Sequence, residues 1–239
     1  WTANYINLDG HTLTNLGTLD FAVSNGIYGN TLIDINGSGN QGGTLDNKGL
    51  ILQQAVTPQI FDTVTILNEG IYNIVGDGSL NVGNYAPRFV NQGTFEKTGG
   101  TGVSSTSVTF NNQGGLVYAA TGTLNPGRGT DTGGIYNADA GAIVGLQGYL
   151  TGTYTGGGAG TIKLAGNIQI GLAGAIFNFP NGYFQWTDQT INLYGSTLTN
   201  LGFLTFASSA PINGNTSIDS NGSGNQGGLL DNKGTIFQN

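Results

Sequence analysis

Short apolar runs alternate with polar residues along the whole chain, and glycine and asparagine interrupt them at regular intervals. Segments such as Thr18-Leu-Asp-Phe21, Ile71-Tyr-Asn-Ile74 and Leu116-Val-Tyr118 follow these interruptions. Alternation with a period of two is typical of half-buried β-strands. The pattern therefore predicts an all-β protein that is built from many short strands.

The interruptions share one signature, in which an apolar residue precedes Asn-x-Gly and a second apolar residue follows. Successive asparagines of the signature lie 21 to 32 residues apart, and a looser version runs from Asn137 to Gly141. Such a period predicts a right-handed parallel β-solenoid of roughly ten or eleven coils, each of about 21–23 residues. The residues of the signature are Asn15, Gly17, Asn47, Gly49, Asn68, Gly70, Asn91, Gly93, Asn112, Gly114, Asn200, Gly202, Asn232 and Gly234.

We expect these asparagines and glycines to form a structural ladder along one corner of the solenoid. Glycine, and asparagine more than most residues, tolerates the left-handed backbone geometry that a corner requires. Stacked asparagine side chains can also hydrogen-bond from one coil to the next.

A much longer repeat overlies the coils. Residues 1–54 recur without a gap at residues 186–239, and about two-thirds of the 54 positions are identical. We therefore expect residues 1–185 to form one unit of a tandem array, and residues 186–239 to begin the next copy on the same continuous solenoid. The expected partners are further copies of the chain, joined covalently in tandem or stacked end to end.

The segments Asn15-Leu-Gly-Thr-Leu19 and Phe89-Val-Asn-Gln-Gly-Thr-Phe95 resemble the repeats of large bacterial surface proteins. These are the β-solenoids of filamentous-haemagglutinin-like adhesins and autotransporter passenger domains. The resemblance implies a bacterial protein of the cell surface or extracellular space that acts as a stalk, filament or adhesin shaft. We expect such a structural building block here.

Composition excludes several classes of function. A net charge of −7 with only six Lys and Arg residues leaves no basic surface for nucleic acid. The absence of Cys excludes disulfides and thiol nucleophiles. No apolar run is long enough to span a membrane as a helix. Low charge and the lack of thiols suit an extracellular protein.

An enzyme on this fold would need carboxylates that lie close together. The 13 acidic residues are dispersed along the chain and do not repeat at the coil spacing to build a stacked acidic face, so we expect no catalytic residues and no cofactor. A polysaccharide-degrading β-helix enzyme is a remote alternative.

A Gly- and Asn-rich loop is the best candidate for a surface site. Oxygen-bearing side chains occupy every second position, as at the start of a calcium loop. A glycine-rich corner loop held by Asx turns explains the same residues. The candidate weak calcium ligands are Asp34, Asn36, Ser38 and Asn40 in the first copy, and Asp219, Asn221, Ser223 and Asn225 in the second.

A glycan- or surface-binding adhesin that uses this corner loop is the second functional hypothesis. Aromatic residues such as Tyr183, Phe184 and Trp186 could stack on sugars. They alternate with polar residues at strand spacing, however, and this predicts that they belong to the core.

Overall fold

The computed structural model of the chain describes residues 5–24, 26–29, 42–187, 189–206, 212–213 and 227–238. Those residues form 27 strands and no helix, which confirms the all-β prediction. In chain order the strands are β1 (Tyr5–Asn7), β2 (Thr12–Asn15), β3 (Thr18–Phe21), β4 (Gly26–Tyr28), β5 (Gly43–Asn47), β6 (Leu50–Gln53), β7 (Gln59–Ile60), β8 (Val64–Asn68), β9 (Ile71–Ile74), β10 (Asn81–Val82), β11 (Arg88–Asn91), β12 (Thr94–Lys97), β13 (Val103–Ser105), β14 (Thr109–Asn112), β15 (Leu116–Ala119), β16 (Thr123–Asn125), β17 (Thr130–Asp131), β18 (Gly134–Ala138), β19 (Ile143–Thr155), β20 (Thr161–Asn178), β21 (Phe184–Trp186), β22 (Ile191–Asn192), β23 (Thr197–Asn200), β24 (Phe203–Phe206), β25 (Ile212–Asn213), β26 (Leu229–Asn232) and β27 (Thr235–Gln238).

Every strand pairing is parallel, and the strands stack in three columns, which we call faces A, B and C. The chain visits the faces in the order A, B, C on each turn. Face A holds β1, β4, β7, β10, β13, β16, the first part of β19 and of β20, β21, β24 and β27. Face B holds β2, β5, β8, β11, β14, β17, the middle of β19 and of β20, β22 and β25. Face C holds β3, β6, β9, β12, β15, β18, the last part of β19 and of β20, β23 and β26.

This arrangement is a parallel β-solenoid, as the sequence predicts. The ten strands of face C span nine turns. Its right-handed sense stays a prediction.

Two long strands pass around corners without a break. The pairing between β19 and β20 changes register between Leu146 and Gly148, and again between Leu150 and Gly152. Gly148 and Gly152 have φ angles of 106° and 78°, a region that glycine adopts at no steric cost. The register shifts therefore mark the corners where β19 leaves face A for face B, and face B for face C.

The core is a stack of apolar side chains that point inward from all three faces. Tyr72, Phe89, Phe95 and Phe110 are buried on three successive turns, with ring centroids 5.0–5.7 Å apart. A fully buried side chain of this size contributes about 1.5–3 kcal/mol. Phe89 and Phe95 share one turn and lie between Tyr72 on the turn beneath and Phe110 on the turn above, so stability arises from contacts between adjacent coils.

Strands of residues 186–239 continue the same stack. Leu198, Thr199 and Asn200 of β23 pair with Ala175, Ile176 and Phe177 at the end of β20. These parallel pairs have the same form as those inside the first unit, so no break in the ladder separates the two segments.

Candidate functional site

Five asparagines of the Asn-x-Gly signature lie at the ends of face B strands and form a ladder along the edge between faces B and C, namely Asn15, Asn47, Asn68, Asn91 and Asn112. The side-chain amide of each of the first four donates to the side-chain carbonyl oxygen of the asparagine on the next turn. The Nδ2–Oδ1 distances are 2.7 Å from Asn15 to Asn47, 2.7 Å from Asn47 to Asn68, 2.8 Å from Asn68 to Asn91 and 2.9 Å from Asn91 to Asn112.

The second amide hydrogen of each rung bonds to the main chain. Nδ2 of Asn47 donates to the carbonyl of Ile71 at 2.9 Å, and Nδ2 of Asn68 donates to that of Thr94 at 2.8 Å. Asn47 and Asn68 are completely buried, yet their amides are fully paired. A buried amide that lost these partners would cost about 1–3 kcal/mol for each unsatisfied group. The ladder therefore holds the B–C corner of each turn against the corner of the next turn through two hydrogen bonds per asparagine.

The glycines of the signature are needed for close approach of the turns. The φ angles of Gly49, Gly70 and Gly93 are not positive. A Cβ atom on Gly70 would overlap the carbonyl oxygen of Gly49, and one on Gly93 would overlap that of Gly70. The expectation of left-handed geometry at these positions is wrong, except at Gly114, where φ is 82°. At Gly49, Gly70 and Gly93, therefore, the turns leave no room for a side chain.

The residue between asparagine and glycine lies on the outside of the same edge. Lys48 Nζ contacts Glu69 at 2.9 Å and Asp46 at 3.6 Å, and the hydrogen bond to Glu69 raises the pKa of Lys48. Gln92 donates to Gln113 at 2.8 Å on the following turns. Exposed contacts of this kind contribute little to stability.

The ladder ends at an acidic rung that the signature misses. The main-chain N–H of Thr132 donates to the carbonyl of Asn112 at 2.9 Å, which places Asp131 directly above Asn112. The Asp131 carboxylate accepts from the Asn112 backbone at 2.7 Å and from the Tyr136 hydroxyl at 3.0 Å. Burial raises the pKa of Asp131 to about 7. The run Asp131-Thr-Gly-Gly134 repeats the spacing of Asn112-Gln-Gly-Gly115, a signal available in the sequence.

Asn137 is not a rung of the ladder, contrary to the looser signature. It lies within β18 on face C and pairs with Tyr118 of β15. Its Oδ1 atom accepts a hydrogen bond from the backbone of Gly157 at 2.9 Å.

A second ladder starts in the second copy, on a different edge. Asn200 ends a strand of face C, and its Nδ2 donates to Asn232 at 2.8 Å and to the carbonyl of Thr235 at 3.0 Å. Phe177, and not an asparagine, pairs with Asn200 on the turn beneath. The structure therefore gathers the signature residues into two ladders.

A completely buried lysine fixes another corner. Lys97 Nζ donates to the carbonyl oxygens of Gly76 and Gly99 at 2.6 and 2.7 Å, and to Asp77 Oδ1 at 2.8 Å. Asp77 also accepts from the backbone N–H of Gly102. The hydrogen bond from Lys97 lowers the pKa of the Asp77 carboxyl. The ammonium group thus ties together two successive corners between faces C and A.

A groove of about 380 Å³ lies on the B–C edge beyond the last rung of the ladder. Its lining is uncharged, with threonine hydroxyl groups and main-chain atoms as the polar groups. The lining residues are Thr132, Thr151, Gly152, Ala173, Gly174, Ala175, Ile176, Thr197 and Thr199.

The other sequence candidates give no site within the described residues. The calcium-loop candidates, Asp34 to Asn40 and Asp219 to Asn225, lie outside them. Tyr183, Phe184 and Trp186 are buried, which confirms that they belong to the core. In the described part of the chain, no three acidic or histidine side chains come together as a metal site. Nor does that part contain a helix that could cross a membrane.

Comparison of the chain with protein-family models, curated proteins and solved structures finds no match.

Proposed function

We propose that the chain is a structural building block of an extracellular fibre or giant repetitive surface protein of the bacterial adhesin-shaft type. The observation that carries the proposal is the junction between the copies. There, β23 of the second copy pairs in parallel with the end of β20, as the coils of the first unit pair with one another. A stack that continues across the sequence repeat can lengthen by adding units.

The interior chemistry supports a mechanical role. The ladder buries Asn47, Asn68, Asn91 and Asn112 with their amides bonded along the solenoid axis. These bonds, together with the main-chain ladder, oppose separation of the turns. Rigidity then comes from every coil, and length is set by the number of repeats.

Electron microscopy of the native polypeptide tests this proposal. Coils stack at about 4.8 Å, so each 185-residue unit of little more than eight turns should add about 40 Å to an unbranched rod. A rod whose length grows in this proportion to its mass is the expected result. A compact particle, or a flexible string of separate beads, would contradict the proposal.

Glycan binding is a second candidate, favoured by the groove at the B–C edge. Its uncharged lining and threonine hydroxyls suit a neutral sugar chain. Titration with neutral oligosaccharides should raise the melting temperature by mass action, and Thr151→Ala should weaken the shift. No shift at millimolar sugar would argue against this candidate.

A further inference from the structure

The two copies of the repeat lie on different faces of the solenoid. Residues 6–7 belong to β1 on face A, whereas their copies, residues 191–192, form β22 on face B. The identical segments 12–15 and 197–200 form β2 on face B and β23 on face C. Each copied strand is therefore displaced by one face, in the direction in which the chain runs.

The displacement fixes the number of turns in one unit. After β1 the chain returns to face A eight times, at β4, β7, β10, β13, β16, β19, β20 and β21. It then advances by one more face to reach β22. A repeat of 185 residues thus makes eight and one-third turns, or about 22 residues per turn.

The side-chain hydrogen bonds follow the same displacement. In the first copy the bond from Asn15 to Asn47 lies on the B–C edge. In the second copy the corresponding bond, from Asn200 to Asn232, lies on the edge between faces C and A.

The ends of the described stack expose surfaces that a further copy would cover. Leu13 in the first coil is 41% exposed, whereas its copy, Leu198, is 1% exposed because Ala175 lies on the turn beneath it. At the other end, Leu45 is fully buried by the next turn, whereas its copy Leu230 is only partly buried. The surfaces exposed at the ends are thus those that the chain buries between adjacent coils inside the stack.

We propose that these end surfaces bind a second copy of the repeat unit, and that successive units are rotated by one-third of a turn. This inference rests on the proposed role as a fibre. Any feature of one unit then faces three directions in three successive units. It returns to the same side after 25 turns, or about 120 Å at 4.8 Å per turn. Such a fibre presents each unit's surface evenly to all sides.

Cysteine pairs test the displacement in the present chain, which has no cysteine of its own. Ile176→Cys with Thr199→Cys joins residues that pair on face C, and both side chains are partly exposed. Gln169→Cys with Thr199→Cys joins residues that would be neighbours if the unit were a whole number of turns. Thr94→Cys with Leu116→Cys, a pair inside the first unit, is the control for folding and reactivity.

Dibromobimane, which fluoresces when it bridges two adjacent thiols, is the probe. The 176/199 and 94/116 pairs should be bridged at similar rates, and the 169/199 pair at least about ten-fold more slowly, since those residues lie on different faces. Efficient bridging at 169/199, or none at 176/199 while the control is bridged, would overturn the inference.

Diffraction from the oriented native polypeptide extends the test to the array. Three units per repeat predict layer lines at orders of about 120 Å, whereas whole-number turns predict orders of about 40 Å alone. The cysteine pairs and the layer lines test whether successive units are rotated by one-third of a turn. The mass of the native polypeptide separately decides whether the units form a covalent fibre.

Discussion

The backbone N–H of Asn112 donates to the buried carboxylate of Asp131 at 2.7 Å, and this bond closes the upper end of the first asparagine ladder. The Tyr136 hydroxyl lies between them, since it donates to Asp131 at 3.0 Å and accepts from Asn112 Nδ2 at 3.4 Å. The ladder of neutral amides thus ends at a group that can change its charge.

Asp131→Asn should remove a pH-dependent part of the stability. Burial raises the folded-state pKa to about 7, above the unfolded value of about 3.9. The folded state therefore binds the proton more tightly, and stability is highest below about pH 4 and falls as pH rises to about 7. The tyrosines 136 and 154 are the titratable groups that face the carboxylate, and burial raises their pKa values.

Urea unfolding between pH 4 and pH 8 measures this effect. Relative to the parent protein, Asp131→Asn should gain up to about 4 kcal/mol across that range. Thr130→Ala, which changes the neighbouring exposed and uncharged side chain, is the control and should keep the pH dependence of the parent protein. A constant difference between Asp131→Asn and the parent protein would contradict the prediction.

Asn91→Ala should break the ladder at a buried rung. Asn91 accepts from Asn68 at 2.8 Å and donates to Asn112 at 2.9 Å and to the Leu116 carbonyl at 3.1 Å. Truncation leaves those groups unpaired in the interior, so the free energy of unfolding should fall by about 2–4 kcal/mol. The neighbouring exposed variant Gln92→Ala should cost less than about 1 kcal/mol. If urea titrations gave equal losses of unfolding free energy for Asn91→Ala and Gln92→Ala, the buried ladder would contribute no more to stability than an exposed side chain.

Gly70→Ala should be strongly destabilising although the φ angle of Gly70 is not positive. The new methyl group would overlap the carbonyl oxygen of Gly49 on the turn beneath, so the turns would have to separate. We expect a loss of more than about 2 kcal/mol in thermal or urea unfolding. Gly157→Ala, where no heavy atom lies within 4 Å of the added Cβ, should change stability by less than about 1 kcal/mol. Similar effects of the two variants would refute close approach as the reason for the glycine.

Lys97→Met should weaken the corner that the lysine crosses. The carbonyl oxygens of Gly76 and Gly99 would lose their buried donor, and Asp77 would lose its cation. The expected loss, which comes from the unpaired buried carbonyl groups, is about 1–3 kcal/mol. The lysine lowers the pKa of Asp77. The Lys97–Asp77 interaction therefore stabilises the fold above the unfolded pKa of Asp77, and this stabilisation disappears as pH falls below about 4. The cost of the variant in urea titrations should therefore shrink in acid, and a cost that grows in acid would contradict this assignment.

The sequence predicts the solenoid because strand alternation and the Asn-x-Gly period survive in most coils. It misses the Asp131 rung because a carboxylate replaces the amide there, and it misplaces Asn137 because the coils vary in length. It attributes the glycines to left-handed backbone geometry, whereas Gly49, Gly70 and Gly93 are required because adjacent turns pack closely. Both causes produce the same spacing of glycines in the sequence. The rotation of the repeat is also invisible in the sequence. Residues 12–15 and 197–200 are identical in sequence, and this identity does not indicate on which face each segment lies.

The mass of the native polypeptide under denaturing conditions tests the central claim most directly. A tandem array that builds a covalent fibre predicts a mass many times the 24.5 kDa of this chain. A native mass near 24.5 kDa would contradict the covalent array and would leave length to be set by stacking of separate chains.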